Sequence, residues 1–260
     1  MDPVFYSLAL MPLFETESLV LKSYNLAEAD RIVLFFTREY GMVRGVAKGA
    51  KRMKSRFGSA LEPFSTVNLE YFQKEDRELV SIQRVEMLRS CFEAASEPAF
   101  LHTFSYIADL LASFVPPHDP NETLYRMVKG CIESAGETSE DLAAVRLYFE
   151  LWLLRLGGYL PDWKVCDGCK RTLDASEFAD VKADFHLLCS ECRRASGAQI
   201  MTAQHREIFQ TVQKLPPREF LAYAHDKSDA VAEVSGVLKR IISNVIGREV
   251  ASEKSFAGNF

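Results

Sequence analysis

The hydrophobic period of this chain changes at Pro98, and that change divides its 260 residues into two parts. Before Pro98 the apolar residues occur in short alternating runs, a pattern typical of β-strands. After Pro98 they recur three and four positions apart, as on the buried face of a helix. A chain of this length can bury a core in each of two domains. We therefore expect a β domain followed by a helical domain.

Residues 15–86 contain five short candidate strands. The clearest covers residues 66–71, where Val67, Leu69 and Tyr71 fall on one face. The other four cover residues 17–21, 31–37, 41–47 and 78–82. Five short strands in about seventy residues are typical of an OB-fold, a small closed barrel. An SH3-like barrel or an open meander fits the same pattern.

Helices are predicted over residues 99–115, 122–134, 202–214 and 228–247, and over the segment between Thr138 and Gly157. The apolar face of this last segment is formed by Leu142, Val145, Phe149, Trp152 and Leu156. Further leucines widen the face, so we expect this helix at the centre of the helical core.

Two Cys-X-X-Cys pairs interrupt the helical part. They are Cys166 with Cys169 and Cys189 with Cys192, and nineteen residues separate the pairs. This spacing is a strong signal for Zn²⁺ held by four thiolates. Four sulfur ligands leave no open coordination position, so we predict one structural ion per chain rather than a catalytic one. A redox dithiol is the weaker alternative, because one pair would suffice for it.

Four further expectations concern the residues near the cysteine pairs and the two remaining cysteines. Gly168 is expected to give the first pair the backbone freedom of a tight turn. Cations beside the pairs can offset the charge of the thiolates, and these are Lys164, Lys170, Arg171, Arg193 and Arg194. His186 is a candidate ligand that four sulfurs make unnecessary, and Cys91 and Cys131 are expected to pack as small apolar residues.

Residues 44–56 hold six positive side chains and no negative one, although the chain carries a formal charge of -5. The six are Arg44, Lys48, Lys51, Arg52, Lys54 and Arg56. A local cationic run in an acidic protein suits a polyanion, and a nucleic-acid backbone is the leading candidate. The alternative is a charged surface loop whose cations contact only solvent. On a strand, Arg44 and Lys48 would share one side, and a small barrel commonly presents such a groove with aromatic stacking platforms. Tyr24, Phe57 and Tyr71 are candidate platforms that would fit core positions equally well.

Motifs for catalysis are absent from the sequence. It contains no GxxxxGK[ST], HExxH or GxSxG, and no pair of carboxylates stands out as acid and base. We therefore predict a protein that is not an enzyme. The start of the chain lacks the basic residues of a secretory signal, and no apolar run is long enough to cross a bilayer, so a cytoplasmic location is expected.

At the level of whole motifs, the chain resembles the RecO family of bacterial DNA repair proteins. The likeness begins at residues 18–24 and continues through residues 28–41. It is most specific at residues 46–51, 55–57 and 61–64. The double Cys-X-X-Cys after a Leu-rich helix that ends in Gly-Gly-Tyr-Leu-Pro161 also matches, as does the closing Lys254-Ser-Phe256. Residues 1–14 lie outside the family pattern.

The resemblance implies an α+β protein: an OB-fold at residues 15–90 after an extension of residues 1–14, then a helical domain at residues 91–260 with a zinc ribbon at 163–196. It implies a recombination mediator, associated with the bacterial nucleoid, that binds single- and double-stranded DNA and anneals complementary strands. The implied partners are RecR, the single-stranded DNA-binding protein, RecF and the recombinase RecA. A pocket for the tail of the single-stranded DNA-binding protein is expected on the helices.

Two rival functions fit the residues. A protein-interaction scaffold could use its barrel to grip an acidic partner, and it would give no saturable signal with an oligonucleotide. A zinc enzyme would lose turnover on chelation, whereas a structural zinc site predicts unfolding of the helical domain.

Overall fold

The computed structural model describes residues 12–74, 77–136, 138–193 and 199–248. The chain forms two compact units. Among the described residues, the first contains residues 12–96 together with Val115–Glu122, and the second contains Glu97–Phe114 and residues 123–248.

The first unit is a closed barrel of five strands, followed by the single helical turn α1 (Phe92–Ala95). The strands are β1 (Leu13–Leu26), β2 (Asp30–Thr37), β3 (Gly41–Ala47), β4 (Thr66–Phe72) and β5 (Leu79–Arg89). Their order around the barrel is β1-β2-β3-β5-β4. Closure excludes the open meander, and the insertion of β5 between β3 and β4 gives the Greek-key arrangement of the OB-fold. The predicted OB-fold is confirmed.

Alternate residues of the strands fill the barrel. Val33, Phe35, Val43 and Ile82 are all buried in one core. Gly45 lies where β3 runs parallel to β5, and a Cβ at this position would come within 2.7 Å of Ile82 Cγ1. A glycine is therefore required where the two strands pack around the core. This inward alternation fixes which residues of each strand face outward.

The second unit is helical. Its helices are α2 (Pro98–Phe114), α3 (Glu122–Ser134), α4 (Ser139–Leu156), α5 (Ala203–Val212), α6 (Pro217–Ala224) and α7 (Ser228–Ile246). Helix α4 packs against α2, α5, α6 and α7, which confirms its predicted central position. Among the described residues, none of the helices combines the length and the apolar character that crossing a bilayer requires.

Helix α4 differs from the prediction at its end and in its centre. Leu156 is 38% exposed, because the helix emerges from the core before it terminates at Gly157. Glu150, which the apolar stripe did not include, is completely buried. Its carboxylate accepts hydrogen bonds from Tyr106 Oη at 2.8 Å and from Ser235 Oγ at 2.6 Å. This acidic residue therefore joins α4 to both α2 and α7.

A small antiparallel sheet lies between α4 and α5 in the chain. Its strands are β6 (Ala179–Val181), β7 (Leu187–Leu188) and β8 (Ile200–Met201), in the order β7-β6-β8. Trp163 is fully buried beside it, donates its indole N–H to the carbonyl of Phe185 at 2.8 Å and packs against Phe209 of α5. The sheet positions the first cysteine-bearing turn, because Asp167 N–H donates to the carbonyl of Leu187 in β7 at 2.8 Å.

Candidate nucleic-acid interface and metal centre

The four cysteines of the two predicted pairs come together. All four sulfur atoms lie within 4.8 Å of one another, and Cys169 Sγ is 3.9 Å from Cys189 Sγ. Cys166 and Cys189 are buried, whereas Cys169 is exposed and Cys192 is half-buried. Sulfur ligands around one tetrahedral ion, with bonds of about 2.3 Å, have a comparable separation. The cluster can therefore hold a metal ion.

Each cysteine pair forms a turn closed by a backbone hydrogen bond. Lys170 N–H donates to the carbonyl of Cys166 at 2.8 Å, and Arg193 N–H donates to that of Cys189 at 3.1 Å. The left-handed backbone of the first turn falls on Lys170, with φ 62°, rather than on Gly168. A Cβ at Gly168 would lie 3.0 Å from Cys192 Sγ. This glycine therefore serves the close approach of the two turns, and the prediction that it supplies backbone freedom is wrong.

The thiols differ in acidity. Burial raises the pKa of Cys166, but backbone N–H groups, with Cys189 first among them, outweigh that effect and lower the pKa to about 6. Hydrogen bonds with Cys189, Cys169 and Cys166 raise the pKa of the Cys192 thiol to about 12. The Cys166 thiolate therefore forms readily at neutral pH, whereas ionising the Cys192 thiol requires a cation beside it.

Of the five cations predicted beside the cluster, three pair with carboxylates. The pairs are Lys170 with Asp167, Arg171 with Glu177 and Arg193 with Asp180. Lys164 is exposed, and Arg194 lies outside the described residues. Glu177 first, and then the nearby Cys189 sulfur, raise the pKa of the Arg171 guanidinium, so this cation also offsets charge at the cluster.

Other candidate ligands do not join the cluster. Within the described part of the chain, the group contains the four sulfurs alone. His186 Nδ1 instead lies 3.4 Å from Asp184 Oδ1. Cys91 and Cys131 are buried elsewhere, as predicted, and burial raises the pKa of the Cys131 thiol.

The basic segment, residues 44–56, begins on β3 and continues as the loop that leads to β4. Val43, Gly45 and Ala47 face the core, so Arg44 lies on the outer side of the barrel. Lys48 follows β3 and is exposed as well. The remaining cations lie on the loop and are also exposed; they are Lys51, Arg52, Lys54 and Arg56.

Two hydrogen bonds fix this loop to the hairpin between β1 and β2. Lys51 N–H donates to the carbonyl of Ala29 at 2.9 Å, and Gly49 N–H donates to Asp30 Oδ1 at 2.7 Å. Further along the loop, the ring of Phe57 is buried in the barrel core. The exposed cations are thus carried by a segment that is anchored on both sides.

Within the part of the chain that the structure describes, none of the six cations forms an ion pair. Nearby carboxylates have other partners: Asp30 accepts the bond from Gly49, and Glu62 lies 3.8 Å from Arg31. Arg56 differs from the other five, because its guanidinium donates to the carbonyl of Ile82 at 3.2 Å and lies over the Phe57 ring. The segment therefore presents positive charge that no carboxylate of the described residues neutralises in an ion pair.

Two of the three aromatic residues predicted as stacking platforms are unsuitable. Phe57 and Tyr71 are 3% and 1% exposed, because both point into the barrel. Tyr24 is 51% exposed on β1.

Tyr24 belongs to a row of outward residues that sequence reasoning missed. Tyr24 pairs with Ile32 on β2, and Ile32 pairs with Val46 on β3. Val46 pairs with Ser81 on β5, and Ser81 pairs with Phe72 on β4. We call these five residues the outer row. Alternation along β4 could have placed Phe72 outside, since it follows the inward Tyr71, but only the strand pairing brings the row together.

Comparison with protein families gives two matches that together cover most of the chain. Residues 11–91 match the family described as "Recombination protein O N terminal". Residues 101–254 match the family described as "Recombination protein O C terminal".

Several curated proteins are similar over most of their length. The "DNA repair protein RecO" of Koribacter versatilis is 31% identical over 207 residues, which cover 79% of this chain and 83% of that protein. The protein of the same description from Geobacter metallireducens is 33% identical over 69% of this chain and 72% of its own length. That of a Thermoanaerobacter species is 28% identical over 91% of this chain and 90% of its own length.

Proposed function

The chain belongs to the RecO family of DNA repair proteins, and on that premise we propose that it is a recombination mediator. In this proposal it binds single- and double-stranded DNA without sequence specificity and anneals complementary strands. With RecR it assists loading of the recombinase RecA onto strands covered by single-stranded DNA-binding protein. It acts by binding rather than by catalysis.

The observation that carries the proposal is the set of six cations on residues 44–56, none of which forms an ion pair with a described residue. Phosphate contacts of Lys and Arg side chains release counterions and supply affinity that does not depend on sequence. The anchored loop holds Lys51, Arg52 and Lys54 near one another, and Arg44 and Lys48 extend the charge along β3. Annealing follows from the same physics, because cations between two strands screen the repulsion of their backbones.

Fluorescence anisotropy with a labelled single-stranded oligonucleotide tests this proposal. We expect saturable binding by the native protein and its loss at moderate salt when Lys51, Arg52 and Lys54 are all replaced by Glu. The matched control replaces the paired Arg84 and Arg38, whose guanidinium groups already contact carboxylates. Unchanged affinity of the triple variant at low salt would refute the assignment of these residues, and an absence of any saturable binding would favour the protein-interaction scaffold.

For the cysteine cluster we propose a structural Zn²⁺ bound by Cys166, Cys169, Cys189 and Cys192. The support is chemical: thiolates are soft ligands that suit zinc, and a four-sulfur site is closed to substrate. Binding of the ion would order the turns on either side of the small sheet, so its free energy would contribute to folding of the helical unit. Removal of the ion by a chelator is therefore expected to unfold this region, whereas a zinc enzyme would lose its catalytic activity.

A cavity of about 290 Å³ in the helical unit is our candidate for the tail of the single-stranded DNA-binding protein. Its lining combines the apolar Leu142 and Val231 with the cationic Arg146 and Lys239. Such a site suits an acidic segment that carries an apolar side chain. Calorimetric titration with a peptide of that tail tests the assignment, and Lys239→Glu is expected to weaken binding while a charge reversal on the barrel leaves it unchanged.

A further inference from the structure

Glu150 is a carboxylic acid that lies completely buried among the helices of the second unit. Its Oε1 accepts hydrogen bonds from Tyr106 Oη of α2 at 2.8 Å and from Arg146 Nε of α4 at 3.3 Å. Its Oε2 accepts a hydrogen bond from Ser235 Oγ of α7 at 2.6 Å. A buried ionised group seldom stabilises a fold more than apolar residues of the same volume would. Stability alone therefore does not account for Glu150.

Two of these three partners also line the cavity of about 290 Å³ in the helical unit. They are Arg146 and Ser235. The Arg146 side chain is 19% exposed, whereas that of Glu150 is 0% exposed. A guanidinium carries five N–H donors, and in Arg146 the Nε donor is directed to Glu150. Arg146 therefore connects a buried carboxylate to an open cavity.

An acidic ligand in this cavity would bring a second carboxylate to the same guanidinium. Two carboxylates that share one guanidinium are like charges at close range, and their repulsion favours the protonated form of one of them. Burial raises the pKa of Glu150 to about 7, although Arg146, Ser235 and Tyr106 oppose the shift. Glu150 is therefore the carboxylate that gains the proton, and its protonation leaves Arg146 to the ligand.

The other helices packed against α4 bring two further cationic or titratable groups to the cavity. Lys239 of α7 and His102 of α2 line it. Helices α3, α5 and α6 approach α4 elsewhere, around Tyr148 and Trp152. Lysine and arginine keep their charge near neutral pH, whereas histidine commonly changes its charge there. A test of Glu150 must therefore include a control for His102.

We propose that Glu150 is a positioning residue of this cavity, which holds Arg146 while the cavity is empty and takes up a proton from solvent when an acidic peptide binds. The inference rests on the proposed function, in which the cavity receives an acidic tail, and it adds a proton to that binding equilibrium. Linkage then requires the affinity for the peptide to rise as pH falls through the titration of Glu150 and to fall as pH rises. A purely structural Glu150 would leave this affinity independent of pH.

Calorimetric titration with a peptide of the tail, acetylated at its N-terminus, tests the inference on the native protein. Between about pH 6 and about pH 8.5 the carboxylates of such a peptide stay ionised and no free amino terminus titrates. We expect binding to be at least about fivefold tighter at the acid end, the lower end of common coupling between two sites. Repeating the titration in buffers of different ionisation enthalpy measures the proton uptake, which should reach a substantial fraction of one proton per peptide. This measurement uses the unaltered protein, so it is decisive even if a variant fails to fold.

The Glu150→Gln variant assigns the effect to this residue. Its amide does not titrate, so the variant should bind the peptide equally well at both ends of the pH range, with the affinity of the native protein at the acid end and with no proton uptake. The matched control is His102→Asn, which removes the histidine of the cavity lining and should retain the pH dependence of the native protein. A pH dependence that His102→Asn abolishes and Glu150→Gln retains would overturn the inference.

The remaining outcomes separate this inference from the proposed function. Peptide binding by the native protein that neither varies with pH nor takes up protons would overturn the role of Glu150 and leave the assignment of the cavity intact. Absence of binding throughout the pH range would overturn both.

Discussion

Asp30 Oδ1 accepts a hydrogen bond from the backbone N–H of Gly49 at 2.7 Å, and this bond joins the β1–β2 hairpin to the first turn of the basic loop. Gly49 has a φ of 71°, a left-handed conformation that glycine adopts without strain. The position of the loop cations therefore depends in part on one carboxylate and one glycine that carry no positive charge themselves.

Replacing Asp30 with Ala should loosen the basic loop without unfolding the barrel. A hydrogen bond to a charged acceptor contributes about 1.5–3 kcal/mol when it is well protected, and less here because Asp30 is half-buried. We expect trypsin to cleave after Lys51, Arg52 or Lys54 severalfold faster than in the native protein. Asp30→Asn keeps an acceptor oxygen and serves as the control. Equal cleavage rates in both variants would contradict the anchoring role.

The slope of log affinity against log salt reports the number of phosphate contacts that the protein makes with DNA. If all six cations of residues 44–56 contact a single strand, log affinity should fall with log salt at a slope of about -4. Arg44→Ala should make that slope shallower by about 0.7, measured by anisotropy across a salt series. Arg84→Ala is a suitable control, because Arg84 lies on the same barrel in ion pairs with Glu70 and Glu86. A slope near zero would mean that phosphates are not the ligand.

Loss of one sulfur ligand should remove the metal. Cys166→Ser is expected to reduce bound zinc, measured by elemental analysis, from one ion per chain to nearly none, and to lower the melting temperature of the helical unit. Cys91→Ser changes a cysteine outside the cluster and should retain the ion. Full metal content in Cys166→Ser would show that the site is held by other ligands.

Stability of the helical unit should depend on pH through Glu150. Burial raises the pKa of its carboxyl group to about 7, although hydrogen bonds from Arg146, Ser235 and Tyr106 oppose the shift. The folded state then holds a proton that the unfolded chain releases above its ordinary pKa of about 4.3. The contribution of Glu150 to the free energy of unfolding is therefore expected to fall by roughly 3 kcal/mol as pH rises through this window, and to stay constant above it.

Glu150→Gln isolates this effect, because the amide does not titrate: its oxygen can accept from one of the hydroxyls of Tyr106 and Ser235, and its NH2 group can donate to the other. Urea unfolding at a series of pH values should show a decline in the native protein that the variant lacks. Parallel pH profiles for the two proteins would mean that the carboxyl group titrates alike in the folded and unfolded states.

Features that depend on local spacing could be predicted from the sequence. Strand β3 and helix α3 have the predicted bounds, and the cysteine cluster follows from two short motifs and the loop between them. Alternation of inward and outward residues is also local, and it identifies Arg44 and Lys48 as outer residues of the barrel. The sequence did not predict helix α6. Its eight residues after Pro216 form too few turns for apolar residues to show helical spacing.

Features that depend on pairing between distant segments could not be predicted. The outer row exists because β3 pairs with β5 across the basic loop, and no local pattern specifies that neighbour. The sequence shows that Phe57 and Tyr71 are aromatic but not which way their side chains point. It therefore could not distinguish a stacking platform from a core position. The burial of Glu150 likewise depends on Tyr106 and Ser235, which reach it from two other helices.

The parallel pairing of β3 with β5 also sets the order in which this protein gains its properties during synthesis. The cations of residues 44–56 leave the ribosome before Leu79–Arg89, the strand that pairs with β3 and closes the barrel. A nascent chain of that length already carries the positive charge of residues 44–56, yet it has no closed barrel to hold that charge in place. Emergence of the last strand therefore turns a flexible run of cations into an array with fixed positions.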